Sequence, residues 1–202
     1  MIAFVLLTTI AASLFHMSSY AQERHQLEEL VVIAGKHKHK KMFGTGMRIP
    51  CTVASLTAER TGYEIGSIIK SKHLFEIEEI CFNITSNKIK GVILGVEIYR
   101  IDSLFTKVLP SPILIDIPIG SRQRISVTPN VQTIIEPGEY FVAVQFVDCD
   151  EEYKKYSEVE KRKNHLLLPL YLKKSFIRNE MEGKLEKFRF NLGLKIRGIE
   201  YR

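Results

Sequence analysis

The sequence has no tryptophan, only three cysteines, and no lysine or arginine among its first 22 residues. Each absence excludes something. Without Trp, the best stacking platform for a sugar ring is missing. Cys51, Cys81 and Cys149 contain no CxxC, sit in no recognisable nucleophile setting, and cannot all pair within one chain. They are expected to be small buried side chains with one bridge at most. No apolar run reaches the roughly 20 residues that span a bilayer. A GxSxG elbow, an HExxH helix and a GxxxxGK[ST] phosphate loop are all absent, so no catalytic residue, metal site or cofactor is expected.

What is present is ample apolar material. A chain of 202 residues with 45% hydrophobic content supports one sizeable core and excludes disorder over its whole length. The first segment, MIAFVLLTTIAASLFHMSSYAQ, is an apolar run ending in small residues, with Ser19 and Ala21 at the −3 and −1 positions of a cleavage site. Residues 1–21 are therefore expected to be a signal peptide, and the mature chain to begin at Gln22. An uncleaved membrane anchor is the alternative. The predicted destination is the periplasm, the outer membrane or the cell surface. No Cys follows the cleavage site, which speaks against lipidation through a thiol.

From Tyr63 onwards the pattern is that of strands bounded by Gly, Pro, Asn or Asp. Val92, Leu94, Val96 and Ile98 share one face, with Ile93 and Tyr99 on the other. Tyr140, Val142, Val144 and Phe146 face one way and Phe141, Ala143 and Val147 the opposite way, which marks a central strand. Phe75 and Ile77 have one parity while Ile80, Phe82 and Ile84 have the other, so a β-bulge or a strand start near Glu78-Glu79 is predicted. Phe188 to Arg197 alternates most cleanly and reads as one half-buried strand, with Phe190 and Leu192 in the core. Pro169 demotes Leu166–Leu172 to an edge or a bulge. The charged stretch Asp150–Asn164 fits a short helix or a long hairpin loop. Together these segments predict an all-β protein, an antiparallel two-layer β-sandwich over residues 51–202.

Residues 22–50 read as a lead-in, with a single strand over Leu27–Ile33 and then a flexible basic tract, Lys36-His37-Lys38-His39-Lys40-Lys41. The net charge of +6 is concentrated partly there. An exported protein does not ordinarily meet nucleic acid, so an acidic polysaccharide, a partner protein or a peripheral membrane surface is the expected counterpart. The candidate binding residues are Lys36, Lys38, Lys40 and Lys41, with Tyr99 on the outward parity of its strand as a stacking surface unless, as expected of a strand apolar on both faces, another layer covers it. His37 and His39 form an HxH, but four lysines around them repel a cation and no third ligand is near. Asp148, Asp150, Glu151 and Glu152 read as a solvated acidic turn.

The order Gly62-Tyr63-Glu64-Ile65-Gly66, Phe82-Asn83-Ile84, Val96-Glu97-Ile98-Tyr99-Arg100 and Gly138-Glu139-Tyr140-Phe141-Val142 resembles a β-sandwich domain of exported proteins in Bacteroidetes-type bacteria. In that family the domain follows a carboxypeptidase-regulatory-like module. Leu27-Glu28-Glu29-Leu30-Val31-Val32-Ile33-Ala34-Gly35 is similar to the link that follows such a module. The resemblance covers about Leu27 to Val147 and implies a jelly-roll-like sandwich in the cell envelope with no enzyme activity. Between Ala21 and Leu27 there is no room for the regulatory module. The function expected is that of a non-catalytic binding or accessory module contacting an envelope protein or a polysaccharide. A carbohydrate-active hydrolase with paired carboxylates is the alternative.

Overall fold

The computed structural model describes residues 37–44, 49–57, 61–179 and 184–202. The expected signal peptide, the Leu27–Ile33 strand and Lys36 lie outside them. Lys40–Glu200 forms one compact unit, whose architecture follows; the described residues of the other unit are His37–His39, Tyr201 and Arg202.

Two large sheets and one small one make up the fold. The six-stranded sheet runs in the order β13 (Leu185–Phe188), β12 (Ser175–Asn179), β3 (Tyr63–Ser71), β10 (Gly138–Asp148), β6 (Val92–Arg100) and β7 (Ile113–Ile117). The five-stranded sheet runs β1 (Lys38–Gly44), β14 (Lys195–Tyr201), β4 (Leu74–Asn83) and β8 (Arg124–Val127), with β9 (Thr133–Ile135) also on β4. The small sheet is β2 (Thr52–Leu56), β11 (Leu166–Leu170) and β5 (Ser86–Asn87). Strand pairing is antiparallel throughout the six-stranded sheet. The chain is the expected all-β, jelly-roll-like antiparallel two-layer sandwich.

One core joins the sheets. Val92, Leu94, Val96 and Ile98 of β6 and Tyr140, Val142, Val144 and Phe146 of β10 meet Phe75, Ile77, Ile80, Phe82 and Ile196 of the five-stranded sheet. Leu166, Leu168 and Leu170 of β11 join them. A fully buried side chain of this kind contributes about 1.5–3 kcal/mol, so these two long strands anchor the fold. β10 is central, between β3 and β6. On β4 the two parities enter the same cluster. Its partner changes at that point too: Phe75–Ile77 pair with β9 and Ile80–Asn83 with β8.

Three expectations change, and a fourth resolves to its helical alternative. The Phe188–Arg197 segment is not one strand. It breaks between β13 and β14, because Gly193 adopts φ +68° and donates its N–H to the Asn191 side chain at 2.6 Å. An Asx-type bond and a left-handed residue end a ladder where alternation alone would extend it. Leu192 is still buried, while Phe190 is only half-buried against the core. The basic tract is not a flexible lead-in: from Lys38 it is β1, at the margin of the five-stranded sheet. Pro169 lies in the middle strand of the small sheet, where it pairs with Val53 on β2; β5 reaches only Leu166 and Leu167, so no ladder donor is demanded of the ring nitrogen. The Asp150–Asn164 excursion forms two short helices, α1 (Glu151–Lys154), capped by the Asp150 side chain, and α2 (Glu158–Lys163), closed by a Ser157–Glu160 capping box.

Candidate functional site

The outer face of the six-stranded sheet is built in rows by the strand register. One row runs Arg178, Glu64, Gln145, Gly95; the next Phe176, Gly66, Ala143, Glu97; the third Ile68, Phe141, Tyr99. Gly66 is required where it stands: a Cβ there would meet the Val142 carbonyl oxygen at 2.1 Å.

An outward sheet face is normally wet. This one is not. Glu64, Glu97, Tyr99, Phe141 and Ala143 are each at most 1% exposed. Part of the cover is the loop between β6 and β7. Phe105 lies 5.0 Å from the Tyr99 ring with the planes 30° apart, and Phe141 is 6.3 Å from Tyr99 on the sheet itself. The loop is tied by Asp102, whose Oδ1 accepts from Leu104 N at 3.0 Å and Thr106 N at 3.3 Å, and whose Oδ2 accepts from Thr106 Oγ1 at 3.0 Å. Phe105 itself holds φ +54°, an outlier for a bulky L residue.

Under this cover the charges are matched. Arg178 Nε donates to Glu64 Oε2 at 2.6 Å, and the Tyr99 hydroxyl donates to Glu64 Oε1. The Arg178 guanidinium stacks 4.3 Å from the Tyr99 ring centre and 5.0 Å from that of Phe105. Lys107 Nζ donates to Glu97 Oε1 at 3.0 Å and lies 5.8 Å from the Tyr99 ring. Burial, then the hydrogen bond to Glu64, pushes the Tyr99 hydroxyl far above its ordinary pKa. Burial works against the charge of Arg178, but its hydrogen bond to Glu64 and the Glu64 charge outweigh that and raise its pKa. Arg178 Nη2 is buried and has no hydrogen-bond partner.

In this arrangement the buried charges are held against one another. A glycoside hydrolase needs one carboxyl group to protonate a leaving group and a second to attack or activate water. Here both oxygens of Glu64 are engaged by Tyr99 and Arg178, and Glu97 faces Lys107.

The other residues singled out by the sequence fare unevenly. Tyr99 is on the outward parity, as expected, but it is covered and offers no exposed platform. Lys38 and Lys40 are exposed. Lys41 is not available for docking: it is half-buried, pairs with the buried Glu200 carboxylate, and lies 4.6 Å from the Phe43 ring. Its parity on β1 turns it inward with Phe43, which packs edge-on against Phe75 at 4.8 Å. Cys81 and Cys149 are buried as expected, Cys51 is exposed against the expectation, and no bridge joins the three. Asp148 pairs with Lys154 at 2.8 Å and Asp150 caps α1, which makes the acidic turn structural. Among the described residues no group of three His, Cys, Asp or Glu is placed to hold a metal, and no helix is long and apolar enough to cross a membrane. Glu64, Glu97, Phe105 and Arg178 were not singled out by the sequence. The signal that would have found the first two was present: each is a lone carboxylate inside a strand apolar on both faces.

No family model matches the sequence, and no curated protein matches it. Among solved structures, the chain is similar to the clostridial cysteine protease Cwp84 after propeptide cleavage, with a TM-score of 0.50 and 10% identity over 81% of this chain and 40% of that one. It is equally similar, at TM-score 0.50 and 10% identity, to a structure of the cysteine protease and lectin-like domains of Cwp84, a surface layer associated protein of Clostridium difficile; 81% of this chain and 36% of that one are covered. Infectious bursal disease virus, Gx strain, gives a TM-score of 0.39 at 10% identity over 82% of this chain and 37% of that one. This chain spans two fifths or less of each. At such identity the likeness to Cwp84 is one of fold.

Proposed function

We propose that the chain is an exported, envelope-associated module that binds another envelope protein or a polysaccharide and carries no chemistry of its own. The observation that carries this reading is the distribution of charge. Buried carboxylates are matched, Glu64 by Arg178, Glu97 by Lys107 and Glu200 by Lys41, whereas Lys38 and Lys40 stand exposed on the strand at the margin of the sheet. Edge lysines also blunt pairing with a foreign strand, so this margin suits an acidic surface better than β-strand addition. The shared sandwich fold with Cwp84, itself described as surface-layer associated and carrying a lectin-like domain, supports the reading. So does the resemblance to sandwich domains of exported Bacteroidetes-type proteins, to which we assign this chain as a proposal. The segment 1–21 is the proposed export signal.

The test is co-sedimentation of the purified mature chain with isolated envelope polysaccharide and envelope protein fractions at low and high salt. Retention should fall as salt rises, since exposed charges are screened over about 10 Å at 0.1 M. Lys38→Gln with Lys40→Gln should weaken it at low salt. Absence of retention by either fraction, or turnover of a polysaccharide by the purified chain, would overturn the reading.

A further inference from the structure

The covered face holds a buried donor with nothing to give to. Arg178 is only 8% exposed in its side chain, its Nε is spent on Glu64, and its Nη2 is buried without a partner. An unsatisfied donor on a charged group is among the more costly features a folded chain can keep, and each such group calls for a physical account. Phe105 supplies the context. It occupies a planar slot against Tyr99 and the guanidinium, it is the residue with the φ outlier, and its loop hangs on the exposed Asp102 carboxylate. Strain of that kind is characteristic of ligand clamps and switches. With Phe105 withdrawn, the slot would present the Tyr99 ring face, the Arg178 Nη2 donor, and the Glu64 and Glu97 carboxylates.

The charge count decides what would fill it. Glu64 and Glu97 balance Arg178 and Lys107, so neither an anion nor a cation gains from entering. A neutral ring with apolar C–H edges and several hydroxyl groups does gain. Its C–H face stacks on an aromatic ring, its oxygens accept from a guanidinium, and its hydroxyls donate to carboxylates. We propose that the Tyr99–Glu64–Arg178 cluster is a neutral-saccharide subsite held shut by Phe105. This rests on the binding-module reading and deepens it towards a polysaccharide ligand.

The experiment measures ligand-observed NMR binding of N-acetylglucosamine, glucose, galactose and mannose, each added singly to the full mature chain. Phe105→Gly removes the plug and suits the positive φ. Asp102→Ala loosens the loop from the surface without touching the cluster, and it serves should the first variant fold poorly. Either variant should bind at least one of these sugars about tenfold more tightly than wild type, because affinity scales with the population of the open form. Adding Arg178→Lys keeps the charge beside Glu64 but removes Nη2, and it should abolish that gain. No binding of any of the four sugars to either loop variant overturns the proposal, as does binding that Arg178→Lys leaves unchanged. The envelope reading fails separately, through Lys38, Lys40 and salt. Sugar binding at this subsite should be indifferent to all three.

Discussion

The two sheets of the sandwich share one core but treat their outer faces in opposite ways. On the five-stranded sheet, Arg197 Nη1 donates to Glu79 Oε2 at 2.9 Å, Ser126 donates to the other oxygen of Glu79, and Arg124, Ser126 and Arg197 stand in solvent. That is a solvated ladder of cross-strand polar pairs, each worth a fraction of a kcal/mol. On the six-stranded sheet the same kinds of residue, a Glu and an Arg, lie under a loop against three aromatic rings. The chemistry of the pair is similar and the dielectric around it is not. An ion pair on a wet face can be removed at little cost, but a desolvated one is strongly destabilising when only one partner goes.

That contrast orders the expected effects. Glu64→Gln or Arg178→Ala alone should lower stability by about 3–5 kcal/mol, read as a shift in the urea midpoint. Replacing both by apolar residues of similar volume should cost much less than the two single changes together. Arg197→Ala on the wet face should stay within about 1 kcal/mol. Equal losses at Arg178 and Arg197 would erase the distinction between the faces. In the shared core, Phe146→Ala should cost about 3–5 kcal/mol, while Phe190→Ala should cost clearly less because its ring is half-buried.

The alkaline limb of stability sharpens the comparison further. The Tyr99 hydroxyl has its folded pKa raised by burial and by Glu64. Its proton is held more tightly in the folded than in the unfolded chain. The associated stability is present in full below the unfolded value of about 10 and is lost as pH rises above it. Tyr140, raised mainly by burial, contributes in the same direction. Tyr99→Phe should flatten part of this dependence, measured as the thermal midpoint between pH 9 and 11. A profile unchanged by the substitution would place the Tyr99 hydroxyl in water. The wet face contributes to the acid side. Glu79, lowered chiefly by the Ser126 hydrogen bond, contributes above the unfolded carboxyl value and loses that contribution as pH falls through its folded value. The smallest effect is expected from Lys38→Gln with Lys40→Gln, whose melting temperature should be almost unchanged.

What was legible in the sequence follows from which signals are local. β6 and β10 declare themselves because a strand buried on both faces leaves runs of apolar residues, and the parity switch at Glu78-Glu79 announces the change of partner along β4. β1 is hard to see, since an edge strand turns only Lys41 and Phe43 inward and its lysines mimic a solvated loop. The break at Gly193 is invisible to alternation, because the side chains keep their parity while the backbone turns away. The covered face was partly readable through Tyr99, whose outward parity was correct. Its partners were not, because Glu64 and Arg178 stand 114 residues apart and meet only through the β3–β12 register. Long-range pairing of this sort leaves no spacing to recognise.

Hydroxyl-radical footprinting with mass spectrometry tests the covered face most directly. Tyr63, on the same strand as Glu64 but 44% exposed, serves as the internal reference against Tyr99 at 1%. Tyr99 should be protected in the wild-type chain while Tyr63 is oxidised readily, and Phe105→Gly should raise the Tyr99 rate towards that of Tyr63. Equal oxidation of the two tyrosines in the wild-type chain would contradict the account.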